Sequence, residues 1–337
     1  MEPIKIKAFI THKKSLSFKE CADRYAINLA NGRFAIADGV THSYMPNIWS
    51  EIVCNTYVEN KFMSNNNWFD NYCTSKLEED IRTWEKNVRN VENEAEDEVA
   101  FLYSLSKDAY GFGATTLAGI HIDNKNVTID VLGDSTIFQI SKNEEITRYF
   151  STVDPLKGYN NHPNYIGSNG SVYGSAISNS FPLETGFIML MTDALSEWFM
   201  QQIKTDSNLP SYLWDIRTNK DFECFIQKFR EDTTNPLKDD DCTLLILKIN
   251  EVDYDGFQIE SSDMTIYGEK TNGEIDYDEN LELLDVFEEN MALLNQSTDY
   301  LNLKEDKRQS FIYLVQSFKI IRKVGLWITS IFRHVQR

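Results

Sequence analysis

The chain predicts an α+β fold in which antiparallel sheets are covered by helices. Short β-rich runs come first, a helical pair is inserted, more strands follow, and helices return before a last strand. Asn31-Gly32 joins two apolar runs as a two-residue hairpin would. GFIMLMTD and CTLLILKI are apolar nearly throughout, as strands buried on both faces are. Helices over the outer faces of two packed sheets would bury all of these runs.

In order, IKIKAFI (4–10) alternates as a strand. YAINLANGRFAIADG reads as a hairpin whose second strand Asp38 closes. Helices are expected over about 46–66 and about 74–108; the second has Leu77, Ile81, Trp84 and Val88 at spacings of three and four. GATTLAGIHI, NVTIDVLG, STIFQIS and EITRYF follow as four strands of an antiparallel meander, with DNKN, GD and KNEE as turns. Residues 155–182, rich in Asn, Gly and Ser, read as a long loop or flap. GFIMLMTD is a strand ending in Asp193, ALSEWFMQQI and about 220–231 are helices, and CTLLILKI is the last strand of this body.

The 337 residues are 42% hydrophobic and 25% charged, enough for a large core. The net charge of −19 argues against nucleic acid as a partner, since phosphate backbones need a basic face. Five cysteines without a C-x-x-C spacing argue against a disulfide framework or a zinc site. The N-terminal segment has no signal-peptide character and no apolar run is long enough to span a bilayer, so a cytoplasmic location is expected. Charge divides the chain at about residue 250. Residues 251–306 carry 17 acids and two lysines, and 307–337 carry seven Lys/Arg and no acid. We therefore expect a catalytic body over 1–250, an acidic extension over 251–306, and a basic amphipathic helix over 307–337. That helix would dock on a protein or a membrane surface, or fold back on the chain's own acidic parts.

Five short acidic motifs stand at the ends of the predicted strands: Ala22-Asp23, Asp38-Gly39, Gly133-Asp134-Ser135, Thr192-Asp193-Ala194 and Asp240-Asp241-Cys242-Thr243. Gly113-Ala114-Thr115-Thr116 stands among them. Taken singly, each aspartate reads as a turn or cap residue. Converging at one end of a sheet, they would line a hard, oxygen-rich pocket suited to Mg²⁺ or Mn²⁺.

The ordered set AD, ADGV, GATT, GDS, TDAL, DDxT, over about residues 5–250, resembles the metal-dependent protein phosphatase 2C family in its bacterial form. The resemblance implies a four-layer α-β-β-α sandwich of two antiparallel sheets flanked by helices. It implies two Mn²⁺ or Mg²⁺ ions, with a third weaker site, and hydrolysis of phosphoserine and phosphothreonine in proteins by a hydroxide bridging two cations. A cognate Ser/Thr kinase would be the natural counterpart. Carried over residue by residue, Asp38 would bridge both metals and the Gly39 carbonyl would complete one shell. Asp193 and Asp240 would be the other ligands of the first metal, and Asp134 would hold the third ion with Asp193. Asp23 would act near or through metal-bound water. Thr115 and Thr116 would be structural, and Asp241 an orienting residue behind the ligands.

The chain departs from the family pattern in three places. Ala22 stands where Glu is common. Phe18 stands where a phosphate-binding Arg is common, leaving Lys14, Lys19 or Arg24 as substitutes. Val40 follows Asp-Gly where some relatives have His, and His42, two residues on, is either a general acid or a plain loop histidine. Arg230 either reaches the pocket or forms a surface salt bridge. The alternatives to the phosphatase are an inactive phosphatase-fold scaffold that binds phosphoproteins and, more distantly, a metal-dependent nuclease.

Overall fold

The computed structural model describes residues 4–14, 20–59, 68–95, 106–107, 111–123, 126–155, 163–250 and 265–267. The chain divides into two units, Met1–Ile275 and Asp276–Arg337, and the description concerns the first. The expected basic helix over 307–337 and nearly all of the acidic extension lie outside the described residues.

Two antiparallel sheets pack face to face between two layers of helices. The first contains β1 (Lys5–Thr11), β7 (Thr136–Ser141), β8 (Ile146–Phe150), β12 (Gly186–Met191), β13 (Cys242–Ile249) and β14 (Thr265–Tyr267). Its order is β14-β1-β13-β12-β7-β8, with β14 parallel to β1. The second contains β2 (Arg24–Asn28), β3 (Arg33–Ala37), β5 (Leu117–Asp123), β6 (Asn126–Leu132) and β11 (Ile177–Pro182), in the order β11-β6-β5-β3-β2. A small third sheet joins β4 (Ala114–Thr115), β9 (Tyr165–Gly167) and β10 (Val172–Tyr173).

Alternation builds the layers. Ile6, Ala8 and Ile10 of β1, Ile188 and Leu190 of β12, and Leu245 and Leu247 of β13 face Phe34, Ile36, Ile120 and Ile129 across the inter-sheet core. The alternate residues Phe9, Phe138, Met189 and Leu244 face outward and are covered by α4 (Asp193–Gln202), α5 (Leu209–Asp215) and α6 (Asn219–Arg230). On the other side α1 (Pro46–Glu59), α2 (Trp68–Ser75) and α3 (Leu77–Glu94) cover small residues, Ala26, Ala35 and Ala37. Gly119 belongs to this outer face, where a Cβ would lie 2.4 Å from the Tyr57 ring. The smallness of this sheet face lets the aromatic side chains of α1 sit on it.

The α+β class and the four layers are as expected. Four details differ. The meander does not stay in one sheet: β5 pairs with β6 and β7 with β8, but β6 and β7 belong to opposite sheets, so Gly133-Asp134 crosses the sandwich. GATTLAGIHI is not one strand, because it breaks at Thr116, whose N–H donates to the Asp38 carbonyl at 2.8 Å. The second helix begins earlier and is interrupted at Lys76. Residues 163–182 hold β9, β10 and β11 rather than an open flap, β11 bonding along β6 as an edge strand.

Candidate functional site

Strand register places the acidic motifs at the same end of both sheets. Arg24 pairs with Ala37, so Asp23 and Asp38 flank one end of the β2–β3 hairpin. Met191 pairs with Thr136 on one side and Leu244 on the other, bringing Asp193, Asp134 and the start of β13 to the same level. Thr11 pairs with Cys242, so residues just after β1 meet Asp240 and Asp241. A cleft of about 330 Å³ opens there, and its lining includes Asp38, Asp134, Asp193, Asp240, Thr116 and Lys13.

Asp38 leaves β3 through a turn braced by both threonines. Its N–H donates to Thr116 Oγ1 at 3.0 Å, and Thr115 Oγ1 donates to its carbonyl at 3.0 Å. These threonines are structural, as expected, although Thr116 also lines the cleft. The Asp38 carboxylate accepts no hydrogen bond among the described residues. Burial raises its pKa well above the carboxylate range, and the charges of Asp23, Asp193, Asp134 and Asp240 add to the shift. Gly39 has a packing reason to be glycine: a Cβ would lie 2.7 Å from Pro46 Cβ and 2.9 Å from Ala22 Cβ.

Asp193 is the first residue of α4, where the helix dipole favours an anion, and its Oδ1 accepts the Ala194 N–H at 2.5 Å. Burial, then Asp134 and Asp240, nonetheless push its pKa well up. Asp134 is buried with Oδ1 unpartnered, and burial raises its pKa to about 6. Asp240 Oδ1 receives Lys13 Nζ at 2.8 Å and the Asp241 N–H at 2.9 Å.

Behind these stand two fully enclosed acids. Asp23 Oδ2 accepts the hydroxyls of Thr192 at 2.9 Å and Thr243 at 2.8 Å, while Oδ1 is buried without a partner. Burial and then the Asp241 charge raise its pKa to about 8. Asp23 is not among the residues lining the cleft. Asp241 Oδ1 accepts the Lys13 N–H at 2.9 Å and Oδ2 the Ala22 N–H at 2.8 Å, which clamps the chain ahead of β2 to the start of β13.

Lys13 is the functional candidate that sequence reasoning missed. Burial alone would lower its pKa, but Asp240, Asp241 and Asp38 more than offset this and raise it, so the side chain is a fixed cation in the cleft. Of the expected substitutes for the phosphate-binding Arg, Lys14 and Arg24 do not line the cleft, and Lys19, like Phe18, lies outside the described residues. Arg24 instead donates to the carbonyls of Cys21 and Asp23 at 2.8 and 2.6 Å. Arg230 does not line the cleft; it pairs with Asp239, whose side chain is half-exposed, from a buried place of its own. Its side chain, 7% exposed, donates to the carbonyls of His12 and Asp240 and lies 3.6 Å from the Asp239 carboxylate. It thereby braces the Asp239–Asp240 loop. His42 stands on the cleft wall with Val40 and Thr41.

No family model matches the sequence, and no curated protein matches it. Similarity is found among solved structures, bacterial serine/threonine phosphatases among them. Stp1 of Staphylococcus aureus is 14% identical, with 74% of this chain and 98% of that one covered and a TM-score of 0.47. PppA, a regulatory component of the type VI secretion system in Pseudomonas aeruginosa, is 12% identical over 73% and 98%, with a TM-score of 0.46. The serine/threonine phosphatase PstP of Mycobacterium tuberculosis is 14% identical over 74% and 100%, with a TM-score of 0.45. Alignments this distant say nothing of individual side chains, so the reading of the cleft rests on its own residues.

The donor set tests whether divalent ions suit the cleft. Every candidate ligand is a hard oxygen, which suits Mg²⁺ or Mn²⁺ and not zinc. Among the described residues the Asp38 carboxylate and Asp134 Oδ1 lack donors, and burial and then like charges raise the pKa values of Asp38 and Asp193, a repulsion that a cation would relieve. Among the described residues no three acidic, His or Cys side chains form a ready-made ligand cage. The chemistry of the donors fits, in an arrangement that stops short of a closed shell.

Proposed function

We propose that the chain is a metal-dependent phosphatase acting on phosphoserine and phosphothreonine in proteins. The observation that carries this is the gathering of Asp38, Asp134, Asp193 and Asp240, from four separate strand ends across both sheets, on one cleft. Asp38, the Gly39 carbonyl, Asp193 and Asp240 would hold two Mn²⁺ or Mg²⁺ ions, with Asp134 and Asp193 serving a third. Bound ions of this kind supply a water of lowered pKa and neutralise charge on phosphoryl oxygens. The chain's own residues do the rest. Lys13 offers a cation to a phosphoryl oxygen on the cleft wall, as a point charge and not a bidentate fork. His42, on the same wall, is the candidate proton donor to the leaving seryl or threonyl oxygen. Asp23 supports the acids in front of it from its buried place rather than meeting substrate.

The test is hydrolysis of p-nitrophenyl phosphate with and without Mn²⁺, compared with Asp193→Asn. We expect turnover only with the metal, and a loss of about 10³-fold in the variant, the scale of several kcal/mol of transition-state stabilisation. No metal-dependent turnover, or turnover unaffected by the substitution, would favour the scaffold reading.

A further inference from the structure

Beside the cleft lies a second depression, of about 620 Å³, between the end of β1 and the outer face of α6. Its charges run against those of the chain. Lys14, Lys220, Lys228 and Arg230 line it against Glu223 and Glu231, in a protein of net charge −19. The two lysines and two glutamates come from α6 and its C-cap, where each lysine stands three residues ahead of a glutamate. Arg230 is spent on carbonyls, whereas Lys14 and Lys228 are exposed. Lys14 and its partner Glu231 are both 63% exposed at 3.5 Å, and Lys220 is 72% exposed, 3.7 Å from Glu223. An exposed pair such as Lys14–Glu231 contributes little and exchanges readily. Lys228 lies over the Phe229 ring and forms no ion pair among the described residues.

The depression and the cleft share a wall. The Lys14 N–H donates to Asp239 Oδ1 at 2.8 Å, and Arg230 stands 3.6 Å from the same carboxylate. Asp239 lines the cleft, while Lys14 and Arg230 line the depression. A peptide whose phosphorylated residue enters the cleft can therefore lay its neighbouring residues along α6.

We infer that this groove selects phosphopeptides carrying acidic residues beside the phosphorylated serine or threonine. The inference rests on the phosphatase reading and adds a substrate class to it. Acidic flanks would meet Lys14 and Lys228 and displace the exposed Glu231 pairing, whereas basic flanks would face the lysine charges and find only Glu231 and Glu223.

The experiment compares two phosphothreonine peptides, one flanked by Glu and Asp and one by Lys and Arg, with the full chain and with Lys220→Glu/Lys228→Glu. Both lysines are exposed and outside the cleft, so turnover of p-nitrophenyl phosphate and the melting temperature should be unchanged. We expect kcat/KM to favour the acidic peptide by about tenfold at low salt, and this preference to vanish in the double variant and to shrink as salt rises. Equal rates on the two peptides, or a preference that survives the charge reversal, would overturn the inference. Should the chain hydrolyse no substrate, the phosphatase reading fails separately. Fluorescence anisotropy of the same labelled peptides then decides the groove: acidic-selective binding lost in the double variant supports it, and binding without that selectivity overturns it.

Discussion

The two rows of aspartates differ in what satisfies them. In the rear row, Asp241 has each oxygen on a backbone N–H, and Asp23 has one oxygen on two threonine hydroxyls. In the front row, the Asp38 carboxylate accepts no hydrogen bond among the described residues, and Asp134 Oδ1 is buried without one. The rear row ties the chain ahead of β2 to the ends of β12 and β13, although Asp23 Oδ1 stays buried without a partner. The front row instead lines the cleft and crowds like charges there, as a site for cations would. Replacing a front acid should therefore cost activity and relieve repulsion. Asp193→Asn should melt at or above the parent temperature in EDTA while losing turnover.

The largest effect should be the response of the metal-free protein to pH. Asp23 has a folded-state pKa of about 8 and Asp134 of about 6, against an ordinary value of 3.8. The native state then holds protons that the unfolded chain has released. Their contribution is complete below about pH 4, and is lost as pH rises to about 6 for Asp134 and about 8 for Asp23. The melting temperature in EDTA should fall steadily from about pH 5 to about pH 8, and Mn²⁺ should restore it most at the alkaline end. A flat profile would show that neither Asp23 nor Asp134 holds a proton in the metal-free fold.

Next in size is Asp241→Ala. It leaves the N–H groups of Ala22 and Lys13 unsatisfied and frees the segment ahead of β2 from β13. Two hydrogen bonds lost at a buried site should cost about 3 kcal/mol near pH 5. Near pH 8 the loss should be smaller, because the same change removes the charge that most strongly repels ionised Asp23. Urea melts at the two pH values measure both figures.

These contrasts also mark what the sequence could and could not reveal. Each aspartate was visible because it punctuates an apolar run, and a run followed by Asp must end near solvent or a polar pocket. The crossing at Gly133-Asp134 was not, since GD between two strands reads equally as a tight turn within one sheet. Lys13 follows an alternating strand as any surface lysine might. Its place in the cleft depends on β1 pairing with β13, more than two hundred residues away, and no local pattern records that register. The helix Leu209–Asp215 escaped notice because it is short and carries Pro210, which is tolerated only in a first turn. The division into rows was likewise hidden, because it depends on which oxygens meet Thr192 and Thr243, and those residues look like ordinary strand threonines.

The smallest expected effect gives the finest resolution of the rear row. Thr243 Oγ1 donates to Asp23 Oδ2, and this bond favours the ionised acid. Thr243→Val keeps the shape and the β-branched character suited to β13 but removes the donor. Asp23 would then hold its proton to a pH above about 8, and the fall in stability of the metal-free protein should extend further into the alkaline range. The cost should be small near pH 5, where the acid is neutral, and about 1 kcal/mol once it is charged. Because Thr243 does not line the cleft, its effect on p-nitrophenyl phosphate turnover should remain small beside that of Asp193→Asn. If Thr243→Val instead lowered stability equally at all pH values, the threonine would be packing the strand and not holding the acid.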